Sequence, residues 1–94
     1  MKKEVTPCAL CQRDVPPRFL EKHHLVPRSL GGEETIDVCN ACGDQVHRLF
    51  SNQELAETYH TVAALKSDPR MQKWLRWVSR QRSFTFSMRL KRGR

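Results

Sequence analysis

The sequence lacks a long hydrophobic run, and its N-terminus does not resemble the apolar segment of a secretory signal peptide. A membrane-spanning helix is therefore not expected, and we predict a cytoplasmic protein in a reducing compartment. The chain of 94 residues is also too short to bury a large hydrophobic core. Some additional stabilising device, such as a bound metal, is expected.

Acidic residues are absent from Arg70 to the C-terminus, a segment that contains nine lysines and arginines. The first 69 residues carry eight basic and ten acidic side chains, so the net charge of +7 is concentrated at the C-terminal end. Such a distribution favours a polyanionic partner, most simply nucleic acid, because neutralising phosphates releases counterions. A tail that only improves solubility explains the composition equally well.

Only four cysteines occur, in two C-x2-C pairs that are separated by 27 residues, Cys8 with Cys11 and Cys39 with Cys42. In a reducing compartment, paired C-x2-C units bind zinc far more often than they form disulfides. The spacing predicts a structural Zn²⁺ held by four thiolates, which leaves no open coordination position for catalysis. Disulfides or free thiols are the alternatives.

The segment between the two cysteine pairs predicts a β-hairpin. Residues 18–24 form an extended run after two prolines, Pro27 begins a loop, and residues 35–38 form a second β-prone stretch. His23 and His24 end the first strand, where neighbouring side chains point to opposite faces of the sheet. One histidine is therefore suited to binding a metal and the other to accepting a proton.

Three helices are expected to follow the hairpin. The first spans about residues 43–50 and carries His47, the second spans about residues 54–66 after an N-cap at Ser51, and the third begins at Pro69.

The domain organisation follows from these elements. We predict one domain over residues 1–94, composed of a core at 1–52, C-terminal helices at 53–81 and a basic tail at 82–94 that is either a strand or disordered. His60 is expected on the surface of the second helix, and Gly43 in a left-handed turn.

In combination, these motifs resemble the HNH endonucleases, the ββα-metal nuclease family, and specifically its branch with four cysteines. The resemblance covers about half the chain and rests on both C-x2-C pairs, the His23-His24-Leu-Val-Pro-Arg-Ser segment, the following glycine pair and the segment that begins with His47. It implies an α+β fold, a small zinc-stapled ββα-metal domain with additional C-terminal helices. It also implies a hydrolase that cleaves DNA phosphodiester bonds by nicking or double-strand cleavage, leaving 5′-phosphate and 3′-hydroxyl ends.

The resemblance further implies a role for each candidate residue. His23 and His47 would bind a catalytic divalent ion, with Mn²⁺, Mg²⁺, Ni²⁺, Co²⁺ and Zn²⁺ as candidates, and His24 would be the general base. Arg28 and Arg48 would bind the substrate phosphate, although ordinary surface charge explains both equally well.

Two positions depart from the family pattern. Many relatives carry a histidine where this chain has Gly43, and the family's middle asparagine falls at Glu34 or Thr35. These departures keep open a non-catalytic zinc-binding DNA module as the alternative function. A structural zinc protein that docks another protein is a third reading, and the oligomeric state is not predicted.

Overall fold

The computed structural model describes residues 4–84, which form a small α+β architecture. Two antiparallel two-stranded sheets pair β1 with β2 and β3 with β4. The strands are β1 at Thr6–Pro7, β2 at Asp14–Val15, β3 at Leu20–His24 and β4 at Thr35–Cys39. The helices are α1 at Asn40–Leu49, α2 at Asn52–Glu57, α3 at Val62–Ser67 and α4 at Pro69–Val78. None of the helices in this range is long and apolar enough to cross a membrane.

The β-hairpin is present as predicted, with His23 opposite Ile36 and His24 opposite Thr35. Its first strand begins at Leu20 rather than residue 18, because Pro17–Phe19 form a 3-10 turn with proline at its start. The loop contains a second 3-10 turn, Arg28–Leu30, which ends at the left-handed Gly31 with φ 91°. The next residue is Gly32, where a Cβ would collide with the backbone carbonyl of Val26.

The first helix begins earlier than predicted. Cys39 is the N-cap of α1, so the second C-x2-C pair lies in the first helical turn rather than in a separate knuckle. Gly43 is therefore an ordinary helical residue, and its predicted left-handed conformation is wrong. The left-handed position among the cysteine turns is Gln12, with φ 67°, because the first pair must reverse the chain without help from a helix.

The predicted second helix is two short helices, α2 and α3, and residues 58–61 lie between them. Thr61 starts α3 because its hydroxyl accepts a hydrogen bond from the Ala64 amide at 3.0 Å. Tyr59 leaves the helical path to donate a hydrogen bond to Asp68 Oδ2 at 3.0 Å. His60 is exposed as predicted, but it lies in this break and not within a helix.

The predicted N-cap at Ser51 and the predicted start of the last helix at Pro69 are confirmed. Ser51 and Glu54 form a reciprocal capping box at 3.1 and 2.8 Å, and Asp68 accepts from the Arg70 amide at 2.8 Å. Besides cysteines, the hydrophobic core contains eight fully buried side chains: Leu10, Val15, Val38, Val46, Leu55, Leu65, Met71 and Val78.

The first residues of the predicted tail pack against the domain. The Phe84 ring stacks on Phe19 with the centroids 5.7 Å apart, so residues 82–84 are neither a strand nor detached from the body. Residues 85–94, the rest of the predicted tail, lie outside the described residues.

Candidate metal centre and histidine pair

The four cysteines converge on one point between the N-terminal turn and the start of α1. Their sulfurs all lie within 4.8 Å of one another, and all four residues are buried as free thiols. The amides of Leu10 and Cys11 donate to Cys8 Sγ at 3.4 and 3.3 Å, as expected of a turn that steadies a thiolate. The cluster is thus positioned to hold a metal such as zinc.

The protonation of the cluster also favours a cation. Hydrogen bonding with the neighbouring thiols, chiefly Cys11, lowers the pKa of Cys8, and hydrogen bonding chiefly with Cys39 lowers the pKa of Cys11 to about 6. The same contacts, with Cys11 first, raise the pKa values of Cys39 and Cys42 above the ordinary thiol range. Four sulfurs at this separation cannot all ionise without a positive charge between them, which a divalent ion supplies.

Two side chains that no sequence motif indicates donate hydrogen bonds to the sulfurs. Arg13 donates from Nε to Cys11 Sγ and from Nη2 to Cys39 Sγ, both at 3.4 Å. Its Nη1 donates to the carbonyls of Gln81 and Ser83 at 2.9 and 3.0 Å, and its guanidinium lies 4.1 Å from the centroid of the Phe84 ring. Arg13 therefore connects the cysteine cluster to the end of the described chain through hydrogen bonds.

Trp74 supplies the second such donor. Its indole Nε1 donates to Cys42 Sγ at 3.4 Å, which connects α4 to the first turn of α1. Trp74 fits the apolar stripe of α4, together with Met71 and Val78, and it is buried. Its polar contact could not be inferred from periodicity, because the two residues are 32 positions apart.

The structure brings His23 and His47 together. Their ring centroids lie 5.3 Å apart with the planes inclined at 62°. His23 is only 2% exposed, and neither of its ring nitrogens has a hydrogen-bond partner among the described residues. Burial, reinforced by the nearby His47 and His24, lowers the pKa of His23 to about 4. A neutral, buried imidazole has one unprotonated nitrogen, and the lone pair of that nitrogen is a suitable metal ligand.

The other candidate residues lie around this pair. His24 is half-buried on the opposite face of β3, and His47 is exposed on α1. Arg28 in the hairpin loop and Arg48 on α1 are exposed, and neither side chain forms a hydrogen bond or ion pair with another residue in the 4–84 range. Their assignment as phosphate ligands stays a prediction.

Glu21 is a further candidate residue, which no sequence motif indicates. Its carboxyl group occupies the space beside Gly43, where the Cβ of any larger residue would collide with Glu21 Oε2. Burial, and then the negative charge of Asp44, raises the pKa of Glu21. Glycine at position 43 therefore allows a carboxylate of the strand to lie directly against the helix.

The fold and site together define a small α+β protein with a buried cluster of four cysteines positioned to hold a metal, and with a pair of neighbouring histidine rings. No family model and no solved structure matches the chain. The chain is 40% identical over 77 residues to the uncharacterized protein YisB of Bacillus subtilis (strain 168), in an alignment that covers 79% of this chain and 74% of that protein. The chain therefore belongs to the same family as YisB.

Proposed function

We propose that this protein is a metal-dependent endonuclease of the HNH type that hydrolyses DNA phosphodiester bonds. The observation that supports the proposal most strongly is His23, a buried imidazole whose two nitrogens lack partners and whose ring lies beside His47. Buried polar atoms without partners are rare because they cost free energy, and they commonly indicate an ion or a water.

The surrounding elements support the same proposal. Strands β3 and β4 and helix α1 form a consecutive ββα unit in which α1 packs against both strands. Cys39 ends β4 and caps α1, so a structural zinc in the cysteine cluster would fix the helix relative to the hairpin. It would thereby fix His47 relative to His23, while remaining closed to substrate.

The proposed chemistry assigns different tasks to the two consecutive histidines. A divalent ion held by His23 and His47 would supply a positive charge that stabilises the phosphate oxygens during cleavage. His24, half-buried on the other face, accepts the proton of the attacking water. Arg28 and Arg48 are free to contact non-bridging phosphate oxygens. The products would carry 5′-phosphate and 3′-hydroxyl ends.

The test is conversion of supercoiled plasmid to nicked or linear DNA by the purified protein. The weakly held ion is first removed with a mild chelator, and Mn²⁺, Co²⁺, Ni²⁺, Zn²⁺ or Mg²⁺ is then added. We expect several first-row metals to restore cleavage, because imidazole nitrogens suit them. A protein that binds the plasmid but cleaves it with none of these metals contradicts the proposal.

A non-catalytic DNA-binding module is the second candidate, and a surface cleft on α4 favours DNA binding in either case. The cleft has a volume of about 320 Å³ and combines basic and aromatic side chains, and its lining residues are Gln45, Arg70, Lys73, Trp74 and Trp77. Such a surface suits phosphates and bases. The plasmid assay separates this candidate from the nuclease.

A further inference from the structure

Two side chains of β3 lie against two positions of α1. Glu21 and His23 are two residues apart on the strand and therefore share a face. The Glu21 carboxyl lies against Gly43, and the His23 ring lies against His47. Because Gly43 and His47 are four residues apart on the helix, they also share a face, one turn from each other. The carboxyl group and the two imidazoles thus border the same strip between strand and helix.

Glu21 and His23 both lack a positively charged partner. The Glu21 side chain is half-exposed, lies near the carboxylate of Asp44, and forms no ion pair or hydrogen bond with another residue of the described chain. His23 is buried with both nitrogens unpaired within residues 4–84. A divalent cation would neutralise the repulsion between the two carboxylates and satisfy the imidazole at the same time.

We propose that Glu21 is the third protein ligand of the divalent ion held by His23 and His47. The inference rests on the proposed endonuclease site and deepens it by adding an oxygen donor. Among the described residues, the cysteine cluster is the only group of three or more possible ligands that is already close enough to hold a metal ion. Binding at the second site would therefore require rotation of Glu21 and His47, which are half-exposed and exposed.

An oxygen ligand changes which ions the site accepts. A pair of imidazoles alone disfavours Mg²⁺, which prefers carboxylate and water, whereas a mixed site with one carboxylate accepts Mn²⁺ and Mg²⁺ more readily. Ligation by Glu21 would also explain the glycine at position 43, because a side chain at that position would displace the Glu21 carboxyl. Strand β3 would then supply, from Glu21, a ligand that α1 cannot supply from Gly43, which has no side chain.

The experiment measures Mn²⁺ affinity by electron paramagnetic resonance, without DNA, on protein that retains its cysteine-bound metal. Glu21→Gln keeps the size of the side chain and removes its charge. We expect it to weaken Mn²⁺ binding by roughly 10- to 100-fold, the range seen when partners of a metal site are lost. The loss should be larger for Mg²⁺ than for Ni²⁺, which an effect on folding alone would not produce. Unchanged affinity overturns the proposal.

Asp44→Asn and His23→Ala are the matched controls. Asp44 is an exposed carboxylate beside Glu21, so an equal loss in Asp44→Asn would indicate a general field effect and contradict ligation by Glu21. His23→Ala tests the ion site itself. If the parent binds Mn²⁺, His23→Ala does not and Glu21→Gln binds normally, only the role of Glu21 is wrong. If the parent does not bind Mn²⁺ at all, the proposed function fails with it.

Discussion

His23 is buried because successive side chains of a β-strand point to opposite faces. In β3 it points toward α1 and is buried, whereas the next residue, His24, points away and stays half-exposed. The consecutive pair thus provides one imidazole shielded from water and one accessible to it. This difference is what a site needs if one group is to hold an ion and the other is to move a proton.

Residue types with strong chemical preferences could be predicted from the sequence. The cysteines and histidines stand at spacings that indicate metal binding, and the structure brings the four cysteines, and His23 with His47, together. Arg13, Trp74 and Glu21 could not be predicted, because arginine, tryptophan and glutamate are common at ordinary surface and core positions. Their contacts depend on tertiary packing between distant segments.

Replacing Cys39 tests the cysteine cluster. Cys39→Ala removes one of the four clustered sulfurs and also disturbs the junction of β4 and α1, so we expect the metal to be lost and the protein to unfold or aggregate. Elemental analysis and thermal unfolding measure the two effects.

Val38→Ala is the matched control for this substitution. Val38 is the adjacent, fully buried residue, and its truncation should cost about 1–3 kcal/mol while leaving one zinc per chain. A parent protein purified without zinc, or a Cys39→Ala variant that melts like the parent, contradicts the assignment.

At the level of elements, the hairpin and α4 could be predicted because their signals are local. Proline and glycine mark the loop, and Asp68-Pro69 marks the start of α4. The division between α2 and α3 could not be predicted from the sequence, because Leu55, Tyr59 and Val62 fit one continuous helical stripe. The break depends on the distant Asp68, which accepts the Tyr59 hydroxyl.

Helix α4 is where we expect DNA to contact the folded domain. Lys73 and Trp77 are four residues apart on one exposed face, and Trp77 is 42% exposed. Lys73→Ala should reduce the slope of log K against log salt by about one, and Trp77→Ala should weaken single-stranded DNA binding by about 1–3 kcal/mol with little change in slope.

Fluorescence anisotropy over a salt series measures both effects on α4. Gln72→Ala is the control, since Gln72 is exposed on another side of the same helix. Parent-like binding by both the Lys73 and Trp77 variants would show that this face does not contact DNA.

For the whole molecule, we expect the C-terminal end to attract DNA most strongly, because the positive charge is concentrated there. Deleting residues 85–94 removes Arg89, Lys91, Arg92 and Arg94. We expect lower DNA affinity and a slope reduced by up to about four, with cleavage preserved at saturating DNA. Binding measured over a salt series tests this, and an unchanged slope would mean that the segment only improves solubility.

The end point of the deletion matters because Ser83 and Phe84 support the cysteine cluster through Arg13. A deletion of residues 83–94 removes those contacts as well. It should therefore lower the thermal stability and the retention of the cluster metal relative to the shorter deletion. Equal stability of the two deletions would show that the contacts of Arg13 with the chain end contribute little.

The proposed roles of the histidines are that His23 and His47 hold the ion and that His24 accepts the proton. Single-turnover cleavage of plasmid with increasing Mn²⁺ tests these roles most directly. His24→Ala should lower the rate by about 10²- to 10⁴-fold at every Mn²⁺ concentration, while Mn²⁺ affinity and DNA affinity stay near those of the parent. His23→Ala and His47→Ala should also lose activity, but excess Mn²⁺ should restore part of it, because their defect is weak ion binding. A His24→Ala variant that cleaves within a few-fold of the parent would contradict the mechanism.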